Sequence, residues 1–528
     1  MLSEPPPSSE MPPPSAPPPG VRHLLAVVGA RGGVGGSVVA VNIAVYLAQL
    51  GRRVLLVDAN PNSASLHTML DMPFPDPPFE DGVVDIDEFR PVDTPIPGLR
   101  LLPQAYGIGT TTPLRPGRRA RWAARLRRQP VDYVILDLGC GTTPPTLDLF
   151  LGADLGILVT NPDPPSVEGA YRFACALFMR RLRRALMKDR FRLRMLDRTL
   201  AGLLPLPMPQ ELVRGLARFD TNLAHLAAKE LSTIRPRLIV NGARARADAE
   251  LGHAMHDMAA RYLGMHFDYS GHIERDDTVW LSVCRRRPLL IDSPTSKSAR
   301  NIERIARRVL ALVARKHEER PVEIPLVSPE TTLYDALLTH RGAADDELRR
   351  AYRRQRDIYR EGSLPLTSLV KHQDLPKAQA LIDEAHDTLL DPLRRRAYDI
   401  STFPAEDEKP ARQNPERDAA LEAERAMLRD ELAHELKAET LFTGPLLRKI
   451  RESQGVELAD IAQRTKISAT YLAAIEEERF AELPAFVYLR GFVSEVAKFL
   501  KLDALQVSRT YLKRYREWRT QHEHSETR

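Results

Sequence analysis

Three cysteines in 528 residues, Cys140, Cys175 and Cys284, are too few and too scattered for a disulfide framework or a thiolate metal site. Aromatic residues are sparse, at 6% of the chain. No uninterrupted apolar run approaches the ~18 residues that cross a bilayer. The N-terminus also lacks the charged-then-apolar order of a secretory signal and carries nine prolines in its first 20 residues instead. These absences exclude a secreted disulfide scaffold and a membrane-spanning protein, and the expected compartment is the cytoplasm. A large excess of one charge is missing too: 76 Lys and Arg stand against 70 Asp and Glu, leaving a formal +6. Charge is instead clustered, with seven arginines at 115–128 and nine Lys or Arg against two Asp at 180–198. Such stripes suit nucleic acid, anionic lipid or an acidic partner, or are solvated helix faces.

The most consequential absence is a single lysine. Residues 31–37 read Arg-Gly-Gly-Val-Gly-Gly-Ser, after the apolar run 23–29 and before the helical pattern at 38–48. This is the strand, glycine loop and helix order of a phosphate-binding loop. Its glycines let backbone N–H groups converge on an anion at a helix N-terminus, where the dipole also favours negative charge. The usual loop carries lysine at 36 and Ser or Thr at 37; here Gly36 precedes Ser37. The cradle is kept and its cation is gone.

This loop and the segments after it resemble the MinD/ParA/FlhG family of P-loop ATPases. The family's Lys-Gly-Gly-Val-Gly-Lys-Ser/Thr is matched with both lysines altered, to Arg31 and Gly36. Arg53-Val-Leu-Leu-Val-Asp58-Ala59-Asn60 is similar to the second strand and its Asp-x-Asp, with Asn60 in place of the aspartate that orients the hydrolytic water. Asp132–Asp137, Leu155–Tyr171, Arg237–Asn241 and the stretch from Gly271 to Ser296 follow in family order. The resemblance implies phosphate contacts from Gly32, Gly33, Val34, Gly35, Gly36 and Ser37, magnesium near Ser37, Asp58 and Asp137, and base contact by Asn241. It also implies a possible homodimer, since the first family lysine reaches across a dimer interface. A lysine on the phosphates contributes about 1.5–3 kcal/mol in charge-assisted contact, and more where catalysis is electrostatic. Arginine is not its equivalent. The expectation is therefore a pseudo-ATPase: ATP or ADP with magnesium bound weakly or not at all, and no catalytic residue among Arg31, Gly36 and Asn60.

The remaining organisation is helical. A stretch at 172–234, with Leu177, Phe178, Leu182 and Leu186 at helix spacing and a Pro-rich break at 204–209, reads as an insertion. The amphipathic helix 301–315 is expected to pack on the sheet rather than on a membrane. After a linker, 330–402 resembles a J domain along its length, but Arg360-Glu361-Gly362 stands where that family has His-Pro-Asp. Co-chaperone activity is therefore not expected, and a protein-binding or spacer module is. Residues 403–442 read as a charged linker with an exposed helix at 419–436. The last domain, 443–516, resembles the cytoplasmic domain of RodZ and the Xre-type helix-turn-helix. Its third helix would offer Ser468, Thr470 and Tyr471 to DNA or to a protein partner. Glu476, Glu477 and Glu478 lie just beyond and are expected to repel phosphate.

The expected architecture is α/β, a mainly parallel doubly wound P-loop sheet over 21–320 with a helical insertion, followed by two small all-α domains. A proline-rich tail at 1–20 and a short tail at 517–528 flank them. Two functional classes stay open. One is a cytoplasmic adaptor in bacterial spatial organisation, with protein partners that include a cytoskeletal or polar protein. The other is a DNA-binding regulator; a weakly active positioning ATPase is third.

Overall fold

The structure is a computed structural model that describes residues 22–60, 65–73, 79–80, 83–84, 91–103, 123–201, 208–314, 324–326, 331–403, 441–465, 467–484 and 486–523. The expectations for the N- and C-terminal tails beyond those limits, the arginines at 115–121, the break at 204–207 and the helix at 419–436 fall outside the described residues. The described residues belong to two compact units. One holds 22–306 and 324–403; the other holds 441–523, and 307–314 group with it.

The first unit is built on one eight-stranded sheet. Its strands are β1 (His23–Gly29), β2 (Val54–Asp58), β3 (Val92–Asp93), β4 (Leu99–Leu102), β5 (Tyr133–Cys140), β6 (Leu155–Thr160), β7 (Arg237–Ala243) and β8 (Asp268–Glu274). In space they run β8-β7-β6-β1-β5-β2-β4-β3. All neighbours are parallel except β3, which pairs antiparallel with β4 at the edge. Residues 24–28 and 54–58 are buried without interruption, as strands covered on both faces must be. β1 lies between β5 and β6, while the next strand in sequence, β2, lies beyond β5. That reversal places a crevice at the carboxyl end of β1, where open parallel sheets bind ligands.

Helices connect and flank these strands: α1 (Gly36–Gln49), α2 (Leu66–Met69), α3 (Pro144–Gly152), α4 (Pro164–Ala185), α5 (Arg190–Ala201), α6 (Pro209–Ala217), α7 (Thr221–Ser232), α8 (Arg246–Met258), α9 (Asp277–Cys284), α10 (Leu289–Asp292) and α11 (Lys297–Ala314). Leu177, Phe178 and Leu182 of α4, and Leu186 just after it, are all buried, as their spacing demands. The basic stripe at 180–198 is largely internal bonding. Arg180 and Arg184 reach Asp148 of α3, Arg181 reaches Glu230 of α7, Arg183 reaches Asp197, and Arg192 lies near Asp189 and Asp220. At the start of α11, Ser298 Oγ donates to Glu274 O (2.8 Å) and Asn301 Oδ1 accepts from Glu274 N (3.1 Å), fixing it at the end of β8.

A helical module completes this unit: α12 (Leu333–Leu337), α13 (Asp345–Ile358), α14 (Leu375–Leu389) and α15 (Pro392–Thr402). Its apolar residues share one continuous core with the sheet domain. The second unit is all-helical: α16 (Gly444–Gln454), α17 (Leu458–Thr465), α18 (Ala469–Glu476), α19 (Phe486–Phe499) and α20 (Ala504–Glu523). Leu447, Ile461, Leu472, Leu489, Val493 and Tyr511 lie at its centre. α16 stops where Gly455 adopts φ 69°, a left-handed cap that glycine takes without steric cost. Among the described residues, no helix is long and apolar enough to cross a membrane.

Candidate nucleotide site and helix-turn-helix surface

The glycine loop leaves β1 and enters α1 directly. Gly33 and Gly35 take φ of 83° and 89°, and Gly35 is the N-cap of α1. These left-handed turns aim successive backbone N–H groups to one side, at the positive end of the helix dipole. The loop's path is also held from outside. Asn241, at the end of β7, donates from Nδ2 to Val34 O at 2.8 Å. A Cβ on Gly35 would fall 2.3 Å from that nitrogen, so only glycine fits there. Asn161, with its amide nitrogen turned inward, donates to Val34 O and Asn241 O at 3.2 Å each. Asn241, which the family resemblance puts at the base, here engages the loop backbone.

Below the loop, two aspartates sit side by side, since Asp58 and Asp137 are register partners on β2 and β5. Both are buried, at 3% and 1% exposure. Burial lifts the Asp58 carboxyl to about 7, and its neighbour Asp137 adds to the rise against the pull of the Leu66 N–H. Asp137 is raised by burial as well, while the Ser37 hydroxyl and the Gly139 N–H favour its charged form. Leu66 N donates to Asp58 Oδ2 (3.1 Å) and Gly139 N to Asp137 Oδ1 (3.0 Å). Asp58 Oδ1 has no hydrogen-bond partner, unusual for a buried oxygen. Two carboxylates and a serine hydroxyl are the hard oxygen donors that magnesium takes, and the orphaned oxygen fits such an ion. If magnesium is bound, Asp58, Asp137 and Ser37 hold it, and it supplies positive charge beside a bound phosphate.

The altered positions behave differently. Gly36 is buried in the first turn of α1, and a Cβ there would meet Gly29 N at 3.4 Å, an ordinary contact. A lysine stem therefore has room at its root. Arg31 is exposed and its Nη1 lies 3.9 Å from Asp163 Oδ1, a loose surface pair outside the loop. Asn60 packs on Gly139, whose added Cβ would fall 2.4 Å from the Asn60 amide. Asn161, Asp163 and Gly139 were not singled out by sequence reasoning. Asn161 directly follows β6, Asp163 caps α4 and Gly139 lies near the end of β5, and those boundary positions are the signal that could have found them.

On the second unit, Ser468, Thr470 and Tyr471 are exposed at the start of α18. Ser468 caps that helix by accepting from Tyr471 N at 3.3 Å. The expectation that Glu476, Glu477 and Glu478 repel phosphate needs correction. Glu476 is 5% exposed and takes a bidentate Arg451 at 2.6 and 2.9 Å. Glu477 pairs with Arg479, and Glu478 pairs with Arg514 while accepting from Gly444 N. Adjacent acids on one helix end were read as one face; Glu476 and Glu478 instead meet cations from other helices, and Glu477 meets Arg479 two residues on. Beside α18, Tyr471 and Phe492 rings lie 5.8 Å apart and Tyr488 is 65% exposed.

The doubly wound sheet, the loop at its switch point and the paired carboxylates define a P-loop nucleotide-binding fold. The family profile described as CobQ/CobB/MinD/ParA nucleotide binding domain matches residues 25–324, more than half of the chain, and the protein belongs to that family. A helix-turn-helix domain profile matches 446–507. The antiactivator FleN of Pseudomonas aeruginosa is 31% identical over 151 residues, 28% of this chain and 54% of FleN. The chromosome-partitioning ATPase Soj of Thermus thermophilus is 29% identical over 148 residues, 28% of this chain and 57% of Soj. The chain thus spans little more than half the length of these relatives. Among solved structures, the septum site-determining protein MinD of Pyrococcus horikoshii, complexed with Mg-ADP, aligns over 56% of this chain and 99% of its own at 17% identity and a TM-score of 0.37.

Proposed function

We propose that this chain is a cytoplasmic adaptor built on a MinD/ParA-type domain that has lost hydrolysis and acts through protein interactions in bacterial spatial organisation. The observation that carries the reading is the pair of altered cations: Gly36 supplies no side chain, and Arg31 pairs outward with Asp163. Asn60 also lacks the carboxylate that would orient a water. In this reading the sheet domain spans 21–320, the J-like module 330–402 and the RodZ-like domain 443–516. The J-like module acts as a binding element without co-chaperone activity. Exposed Tyr471 and Tyr488 beside Phe492 give the last domain an aromatic face suited to a protein partner. The names of the relatives, an antiactivator and a partitioning ATPase, describe proteins of regulation and positioning.

Calorimetry on the full chain with Mg-ATP and Mg-ADP tests this directly. The expected result is no binding below millimolar concentration. Micromolar affinity would make the protein a nucleotide-dependent switch instead. A second reading is favoured by one observation: the three glutamates at the end of α18 each have an arginine partner, which lessens their repulsion from a DNA backbone. Salt-dependent binding to duplex DNA would establish that regulator reading.

A further inference from the structure

The helix that braces the phosphate loop also carries the seat of the helical module. At its start, Asp163 caps α4 by accepting from Ser166 N at 2.9 Å and lies near Arg31. Two turns in, Gly169 packs so tightly on the loop that an added Cβ would fall 2.5 Å from Ala30 O. Ala30 N in turn donates to Val159 O of β6 at 2.8 Å. Two residues after Gly169, the buried Tyr171 donates its hydroxyl to Pro365 O of the module at 2.7 Å. Pro365 and Leu366 are themselves buried, in the turn that joins α13 to α14.

A second anchor lies beyond α8. Tyr262 and the fully buried Tyr359 share a hydroxyl–hydroxyl bond of 2.7 Å, and Arg261 lies over the Tyr359 ring at 5.7 Å. Gln379 of α14 donates to Tyr359 O at 2.7 Å. Arg354 of α13 pairs with Asp257 of α8. The residues that stand at the His-Pro-Asp position, Arg360, Glu361 and Gly362, are exposed, while the segment just after them is docked.

We infer that the module at 331–403 is a built-in partner of the P-loop domain, and that the first turns of α4 couple its seat to the phosphate loop. Gly169 and Tyr171 are two residues apart on one rigid helix, so a displacement of the loop at Ala30 is carried to the Pro365 contact. The coupling is reciprocal along that contact: whatever shifts Pro365 on Tyr171 shifts the loop by the same free energy. Ala30, Gly169, Tyr171 and Pro365 form a contiguous packed path along which such coupling can travel. The inference does not depend on nucleotide binding, because both ends belong to the chain.

Hydrogen exchange on the full chain tests it, with Tyr171→Phe, Arg354→Ala and Gly169→Ala beside the parent. Tyr171→Phe removes the donor to Pro365 O and keeps the ring. It should speed exchange at least ~threefold over 359–370 and also over 29–36. Arg354→Ala, which loosens the module on its α8 side, should speed 345–358 and leave both 359–370 and 29–36 unchanged. Gly169→Ala, which pushes on Ala30, should speed exchange at 359–370. Faster exchange of the module in Tyr171→Phe with no change at 29–36 overturns the coupling, and so does no change at either. Should Gly169→Ala fail to fold by circular dichroism, Tyr171→Phe decides the question alone.

Discussion

Asp58 in the sheet domain and Glu476 in the C-terminal domain are both carboxylates taken out of water, at 3% and 5% exposure. Glu476 receives two hydrogen bonds from one arginine, so both of its oxygens are satisfied. Asp58 has one oxygen bonded to a backbone N–H, one without a partner, and a second carboxylate beside it. The first arrangement closes on itself and serves the fold. The second leaves an atom unsatisfied in a crevice, and a perturbed carboxyl there is the mark of a site that meets something else. The comparison shows that burial alone does not separate a structural acid from a functional one; completion of the partner set does.

The largest effect expected from breaking this contrast is at the complete pair. Glu476→Gln takes the bidentate carboxylate from buried Arg451, leaving only the more distant Glu452 at 3.9 Å, and should destabilise the C-terminal unit by about 3–5 kcal/mol in denaturant unfolding. Replacing both, as Arg451→Met with Glu476→Leu, should restore most of that loss. The incomplete site should respond with the opposite sign. The folded-state carboxyl of Asp58 is raised from 3.8 to about 7, so the folded chain holds this proton more tightly than the unfolded chain does. Stability is therefore lost as pH rises from about 4 to 7. Asp58→Asn removes that slope. With magnesium chelated, it should match the parent at pH 4 and exceed it by on the order of 2–4 kcal/mol at pH 8, read by thermal unfolding.

Sharpening the contrast means returning a cation to the loop. Gly36→Lys should strengthen Mg-ATP binding by about 10- to 100-fold in calorimetry, the equivalent of one charge-assisted contact. An unchanged affinity would show that Asn241 and Asn161, and not the missing lysine, close the loop to phosphate. Asn60→Asp added to Gly36→Lys should be needed before any phosphate release is detected. The smallest effect is at α18, where Ser468→Ala removes an N-cap and should cost about 1 kcal/mol of unfolding free energy.

The sheet domain was legible because its signals are local and ordered. Apolar runs at 23–29, 54–58 and 133–138 precede loops rich in glycine or acid, and parallel register then brings Asp58 and Asp137 together. Helix ends were equally legible where one residue decides them, as at Gly455 and Ser468. What escaped were partners distant in sequence. Glu476 looks like one of three surface acids until Arg451 is placed beside it from another helix. The arginines at 180–198 look like a free cationic face until Asp148, Asp197 and Glu230 are brought to them. The Tyr171–Pro365 contact spans 194 residues and has no local pattern at either end.

The room left around Gly36 bears on how this chain can change. The nearest atom to an added Cβ is 3.4 Å away, so the surroundings leave space for a side chain to start there. From the glycine codons GGA and GGG, lysine is two base changes away, through arginine or glutamate. An arginine intermediate would already carry positive charge towards the loop. A lysine at position 36 is therefore a short walk from those codons, whereas loss of the room would close that path.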